Sequence, residues 1–288
     1  TLSNANCYVL KKMSNIVLQK DDNYFSLHRL IQLIQFTIQF NYYLGKKFPL
    51  SLAFICIFIP YIYEDSIYTF FEIICSNFDC FKPAQIWLLE QANFPIMVID
   101  ELLKVKTEGL RITEKENKKE NDDEKRRREI NIQKAINILN LISTCIKSQI
   151  LYKDFYNYRL IEILNDDWSS LKVSDTLLDE LWNTISNLYT KSTASLMQGL
   201  LQRAIEIMTE SYTIMRRFRI SVIELISKMI IIDETLRPYI TSYHIEETVL
   251  RLLIQFPGHT FLQNALLSLC SNAIQITEMR FAFSKSLI

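Results

Sequence analysis

The sequence predicts an all-α fold built from serial helix pairs, and three observations carry that expectation. Glycine is scarce, 4 residues in 288, where about 7% is average. Apolar residues recur at three- and four-residue spacing along most of the chain, the signature of amphipathic helices. Short linkers join these segments, so neighbours should pair antiparallel in units of about 40–47 residues, the HEAT/armadillo range. The expected architecture is therefore an α-solenoid of HEAT/armadillo-like helix pairs, which buries a continuous core and offers partners a long surface. Tight hairpins want glycine or Asn-Gly turns, so an all-β fold is not expected.

Each element has its own justification. Cys7–Leu18 reads as an amphipathic helix, with Val9, Leu10, Met13, Ile16 and Val17 on one side. Asp21-Asp22-Asn23 forms a turn and N-cap cluster ahead of Tyr24–Tyr43, where Leu27, Leu30, Ile31, Ile34 and Ile38 keep the helical period. Leu50–Ile59 and Ser66–Asn77 are two further helices parted near Pro60. Pro83 and Pro95 sit where a first helical turn tolerates proline, heading Ala84–Gln91 and Pro95–Lys106. Composition then shifts, since Arg111–Glu129 holds 15 charged residues in 19. That run reads as an exposed, disordered or frayed helical insertion between N-terminal repeats (1–110) and C-terminal repeats (130–288). Periodicity resumes in Ile132–Ile146, Asn157–Leu164, Ser174–Leu188, Thr193–Met208, Phe218–Ile232, Ile245–Phe256 and Phe261–Ile274. Ser174-Asp175 can cap the third of these. Arg237-Pro238 and Pro257-Gly258 read as stops.

Little in the chain suggests chemistry. Gly45, Gly109, Gly199 and Gly258 are scattered, so neither a GxGxxG fingerprint nor a Walker loop is possible. The histidines are His28, His244 and His259, with no HExxH and no GxSxG. Cys7, Cys56, Cys75, Cys80, Cys145 and Cys270 form no CxxC pair or zinc spacing. Four of them sit in apolar helical stretches, where a free thiol behaves as a small hydrophobe, and the set points to a reducing compartment, the cytoplasm with the nucleus as a second location. No catalytic residue, cofactor or metal is expected, and paired acids such as Asp166-Asp167 and Glu246-Glu247 read as caps. Lys+Arg 32 against Asp+Glu 32 leaves no net charge, which argues against nucleic acid. Around Lys125-Arg126-Arg127-Arg128, the acids Asp122, Asp123, Glu124 and Glu129 cancel the basic field.

The longest charge-free runs, Leu30–Gly45 and Phe48–Tyr63, are 16 residues each, short of the roughly 20 that span a bilayer. Gln32, Gln35 and Gln39 stripe the first and Pro60 breaks the second, so no membrane span is expected. Thr1 stands where a Met would, and the chain reads as a piece of a longer one. Trp87, Trp168 and Trp182 are core residues first and interface anchors second. Arg216, Arg217 and Arg219 crowd one turn at a helix start, where the dipole disfavours cations. Two readings stand: a solvated face with at least one arginine paired to a neighbouring helix, or a contact for an acidic partner.

The order of these motifs resembles the SAPS family of phosphatase-associated helical-repeat proteins. Arg219-Ile220-Ser221-Val222-Ile223-Glu224-Leu225-Ile226 is similar to the family's "RLxVVELI" helix. Thr248-Val249-Leu250-Arg251-Leu252-Leu253-Ile254-Gln255-Phe256-Pro257 resembles its "xxLDLFFxYP" segment, and Phe261-Leu262 falls where the family has "NNFLH". Upstream, Ile86-Trp87-Leu88-Leu89-Glu90-Gln91 looks like the "WLNEE" element, preceded by the helix holding Asp65–Phe71. Ala194–Met208 matches the small-residue helix between these blocks. The resemblance covers about residues 5–105 and 130–276. His259-Thr260 replaces the family's two asparagines and Gln263 its histidine, while Arg111–Glu129 occupies the place of a variable loop.

The resemblance implies a non-catalytic regulatory subunit that binds a serine/threonine phosphatase catalytic subunit of the protein phosphatase 6 type, directing its substrate choice or location. Further scaffold proteins would be additional partners. A generic HEAT/armadillo adaptor for transport or cytoskeletal assembly is the alternative. Arg216, Arg217 and Arg219, and the turn from His259 to Gln263, are the candidate partner contacts.

Overall fold

The computed structural model describes residues 11–15, 24–45, 50–114, 122–166, 168 and 174–287. Every regular element among them is helical and none is a strand. Of the first expected helix only residues 11–15 are described, and they are helical. The described residues form two compact units that divide between Asn157 and Tyr158.

The first unit contains α1 (Tyr24–Tyr43), a 3-10 stretch (Leu50–Tyr61), α2 (Asp65–Cys75), α3 (Lys82–Glu90), α4 (Phe94–Glu114), α5 (Asp122–Lys147) and the short α6 (Tyr152–Phe155). Helix α5 packs against α2 and α4, and α1 packs on α2. Ile34, Ile38, Phe58, Phe70, Phe71, Phe94 and Leu139 are fully buried there. Phe71 stacks on Phe94 at 5.5 Å between ring centres, locking α2 to α4. Residues 50–61 wind as a 3-10 helix rather than the expected α-helix, and Pro60 within them has no amide to give a helical ladder.

Helix α1 ends on Gly45 at φ +60, whose amide donates to the Tyr42 carbonyl at 3.0 Å. Asn93, between α3 and α4, takes the left-handed conformation itself (φ 50), a position where Asn substitutes for glycine at low strain. One acidic turn, Asp122, Asp123 and Glu124, opens α5 and complements its dipole. The charge run is thus helical up to Glu114 and from Asp122, and residues 115–121 lie outside the described part.

Several polar groups inside this unit are paired, while the buried Trp87 Nε1–H has no hydrogen-bond acceptor among the described residues. The Gln85 amide donates to the Ile74 and Ser76 carbonyls at 2.8 and 2.6 Å, and its Oε1 accepts from Ser148 Oγ at 3.0 Å. That one side chain ties α3 to the ends of α2 and α5. Lys134 Nζ meets Glu101 Oε1 at 2.9 Å, both side chains about nine-tenths buried. Three thiols also converge. Cys145 on α5 hydrogen-bonds Cys75 at the end of α2, and burial holds it well above the ordinary thiol range. Burial pushes Cys56 up to about 12, with Cys75 adding to the shift.

The second unit contains α7 (Tyr158–Asn165), α8 (Asp175–Leu188), α9 (Ala194–Met197), α10 (Leu200–Thr209), α11 (Arg217–Ile232), α12 (Arg237–Ser242), α13 (Ile245–Gln255), α14 (Thr260–Gln275) and α15 (Thr277–Leu287). Helix α11 lies between α8 and α14 and also packs on α10. In turn α13 packs on α10, α14 and α15. Helices α8, α11 and α14 start at Asp175, Arg217 and Thr260, 42 and 43 residues apart, within the spacing that helix pairs require.

Several local expectations hold in this unit. Ser174 Oγ caps α8 by accepting the Leu177 amide at 3.2 Å. Trp168 and Trp182 are among the largest fully buried side chains, and in the first unit Trp87 is 6% exposed, so all three are core. Pro238, read as a stop, instead sits in the first turn of α12. The break lies earlier, at Asp233, whose carboxylate accepts from the Thr235 amide and hydroxyl and from Gln198. A first turn needs no amide from its proline, so the same residue that cannot continue a helix can begin one. His244 enters α13 in the left-handed conformation (φ 49).

Candidate functional site

The three arginines at the start of α11 have three different fates, and the helical period explains why. Arg219 falls three, four and seven residues before Val222, Ile223 and Ile226, which are fully buried, so it points inward with them. It is 9% exposed. Its guanidinium donates to the Ile207 carbonyl at 2.9 Å and to Glu210 Oε2 at 2.7 Å. It also lies 3.8 Å from the centre of the Tyr212 ring, a stacked cation–π arrangement suited to guanidinium.

Arg216, one residue before the helix, pairs with Asp175 on α8 at 2.8 Å, both side chains about half exposed. Arg217 is exposed and has neither an ion-pair nor a hydrogen-bond partner among the described residues. Its charge does reach Asp179: burial pushes that carboxyl up, while the Phe218 amide and Arg217 pull it back.

The loop carrying these residues is fixed from the far side. Arg251 and Gln255 on α13 donate to the Thr209 and Tyr212 carbonyls at 3.0 and 2.6 Å. Tyr212 stacks on Phe256 at 5.9 Å. Arg219 therefore works as a clamp on residues 207–212, and through them it sets where Met215, Arg216 and Arg217 emerge.

At the turn before α14, His259 Nδ1 accepts the Leu262 amide at 3.2 Å and caps the helix. With Nδ1 accepting, the neutral ring carries its proton on Nε2 and keeps a donor to offer. Gln263 turns back and donates to the Pro257 carbonyl, closing the turn on itself.

Arg217 and His259 both line an open groove of about 860 Å³ across the α8, α11 and α14 row. Its floor and rim include Asn183 of α8, Ser221 and Glu224 of α11, and Phe261 and Asn264 of α14. Glu224 is exposed and, like Arg217, has no ionic partner among the described residues. Phe261 is 76% exposed at the edge. Among the described residues the groove thus offers a cation and an anion outside any ion pair, amides that both donate and accept, and an aromatic anchor.

Of the candidate residues, the structure brings Arg217 and His259 into this groove and puts Arg219 and Gln263 to structural use. Asn183, Glu224 and Asn264 were not singled out by sequence reasoning, whereas Phe261 lies within the candidate turn from His259 to Gln263. Ser221, Glu224 and Arg217 do fall at helical spacing, one stripe of α11, which is a signal the sequence contains. Among the described residues no group of three or more His, Cys, Asp or Glu side chains could hold a metal ion. No helix there is long and apolar enough to cross a membrane. No family model, curated protein or solved structure matches the chain.

Proposed function

We propose that this protein is a non-catalytic regulatory subunit, an α-solenoid of HEAT/armadillo-like pairs that docks a serine/threonine phosphatase catalytic subunit of the protein phosphatase 6 type. The resemblance to the SAPS family supplies the identity of the partner. The near-constant spacing of α8, α11 and α14 supports the repeat architecture. The observation that carries a docking role is the groove, where Arg217 and Glu224 make no ion pair among the described residues and Phe261 is exposed. Aromatic and arginine side chains in such positions supply most of the energy of protein–protein interfaces. The described cysteines are all free thiols, in keeping with work in a reducing compartment.

The test is co-purification of the full chain with the phosphatase catalytic subunit, wild type against Phe261→Ala and Arg217→Glu. We expect retention by the wild type and a loss of affinity of roughly thirtyfold or more in each variant. Failure of the wild type to enrich the catalytic subunit would replace this reading with that of a general adaptor. Retention that neither substitution weakens would move the contact away from the groove.

A further inference from the structure

We infer that the chain associates with a second copy of itself through α1. This rests on the first unit alone and stands apart from the groove of the second. Helix α1 is apolar on two opposite faces. Leu27, Leu30, Ile31, Ile34 and Ile38 form the face that enters the core. On the other side Leu33, Phe36, Phe40 and Tyr43 recur at i, i+3, i+7 and i+10, with Leu44 following. These are 46, 59, 49, 77 and 48% exposed. A helix with a second apolar face has that face to bury as well, and α1 is covered on one face alone. Phe36 and Phe40 already stack on each other at 5.7 Å, so the stripe is ordered before anything covers it.

The occupant follows from charge and area. No residue from Leu30 to Gly45 is charged. Interfacial helices that lie on lipid are rich in lysine and arginine along the polar face, whereas here that face carries Gln32, Gln35 and Gln39 and the basic residues Arg29, Lys46 and Lys47 stand only beyond its ends, so a bilayer surface is the poorer match. A surface without charge fits itself without repulsion. Gln32, Gln35 and Gln39 bear amides, which are self-complementary because each both donates and accepts. A two-fold axis sets one face against the same face of its copy. With the two helices antiparallel about a centre at residue 38, Arg29 at the start of the stripe is held roughly 27 Å along the axis from its counterpart.

Aromatic side chains bury about 150–250 Å² each when covered. Scaled by their exposures and joined by the two leucines, the stripe presents about 500 Å² per copy, so about 1,000 Å² across the axis, the size at which specific interfaces begin.

An antiparallel pairing centred between Phe36 and Phe40 puts each of them opposite the other. The full chain is measured by light scattering coupled to size exclusion over a dilution series. We expect a reversible dimer, weakened roughly thirtyfold or more by Phe36→Glu alone and by Phe40→Lys alone. An equimolar mixture of those two variants should dimerise again, since opposite charges then face each other at one end while a Phe–Phe pair survives at the other. That recovery cannot come from misfolded chains. A wild type that stays monomeric at about a hundred micromolar overturns the inference. So does a monomer that floats with phosphatidylcholine vesicles, which would give the stripe to lipid, or a dimer that both substitutions leave intact.

Discussion

Truncating Arg219 tests whether the arginine cluster is a docking patch or, for that residue, a clamp. Removing the guanidinium breaks a charge-assisted hydrogen bond to the Ile207 carbonyl, worth about 1.5–3 kcal/mol. It also removes the cation from the Tyr212 face at 3.8 Å, worth about 0.5–2 kcal/mol. The pair with Glu210 adds less than about 1 kcal/mol, because Glu210 is 61% exposed. These terms overlap, and Arg219 Nε has no partner in the native state, so Arg219→Ala should destabilise the second unit by about 3 kcal/mol. Arg219→Lys keeps the charge but not the fork and should recover less than half. Glu210→Ala should cost well under 1 kcal/mol.

Urea unfolding of the full chain, combined with hydrogen exchange of the amides in residues 200–232, reads both the size and the place of the loss. A cost below about 0.5 kcal/mol, or a Glu210→Ala cost equal to that of Arg219→Ala, would refute the clamp.

Two further outcomes follow from buried polar groups. Lys134→Ala strands Glu101 in the core of the first unit and should cost about 3–5 kcal/mol, whereas the double replacement Glu101→Leu with Lys134→Met should be near neutral; denaturant midpoints of the three chains check both. Burial pushes the Asp233 carboxyl up, but hydrogen bonds from Thr235 and Gln198 and the nearby Arg237 charge outweigh it and hold it below its ordinary value. The stabilisation from that group is therefore present above the unfolded carboxylate pKa of about 3.9 and is lost as pH falls through the depressed folded value. Stability of wild type and Asp233→Asn measured across acid pH should converge as the medium becomes more acidic, and parallel curves would contradict this.

Much of the helical order was legible because it depends on local rules. Ser174, Pro83 and Pro257-Gly258 act through backbone groups a few residues away, so their effect is written in the neighbouring sequence. Residues 50–61 were harder, since a continuous apolar run has no polar face to register a period and cannot distinguish α from 3-10 winding. Pro238 misled because proline ends one helix and begins another by the same missing amide. At the site, the inward turn of Arg219 was readable from its spacing to Val222, Ile223 and Ile226. The sharing of one groove by Arg217 and His259 was not, because it depends on how α11 and α14 pack across some forty residues of chain.

The thiols turn this molecule into its own unfolding gauge. Cys56, Cys75 and Cys145 lie buried together in the first unit and Cys270 lies buried in the second, with Cys270 pushed up to about 11 by burial. Thiolate is the form that alkylating reagents attack, so each of these sulfurs is masked until its surroundings open. A brief pulse of iodoacetamide at rising denaturant, followed by peptide mass mapping, would report which half of the chain yields first without any label being introduced.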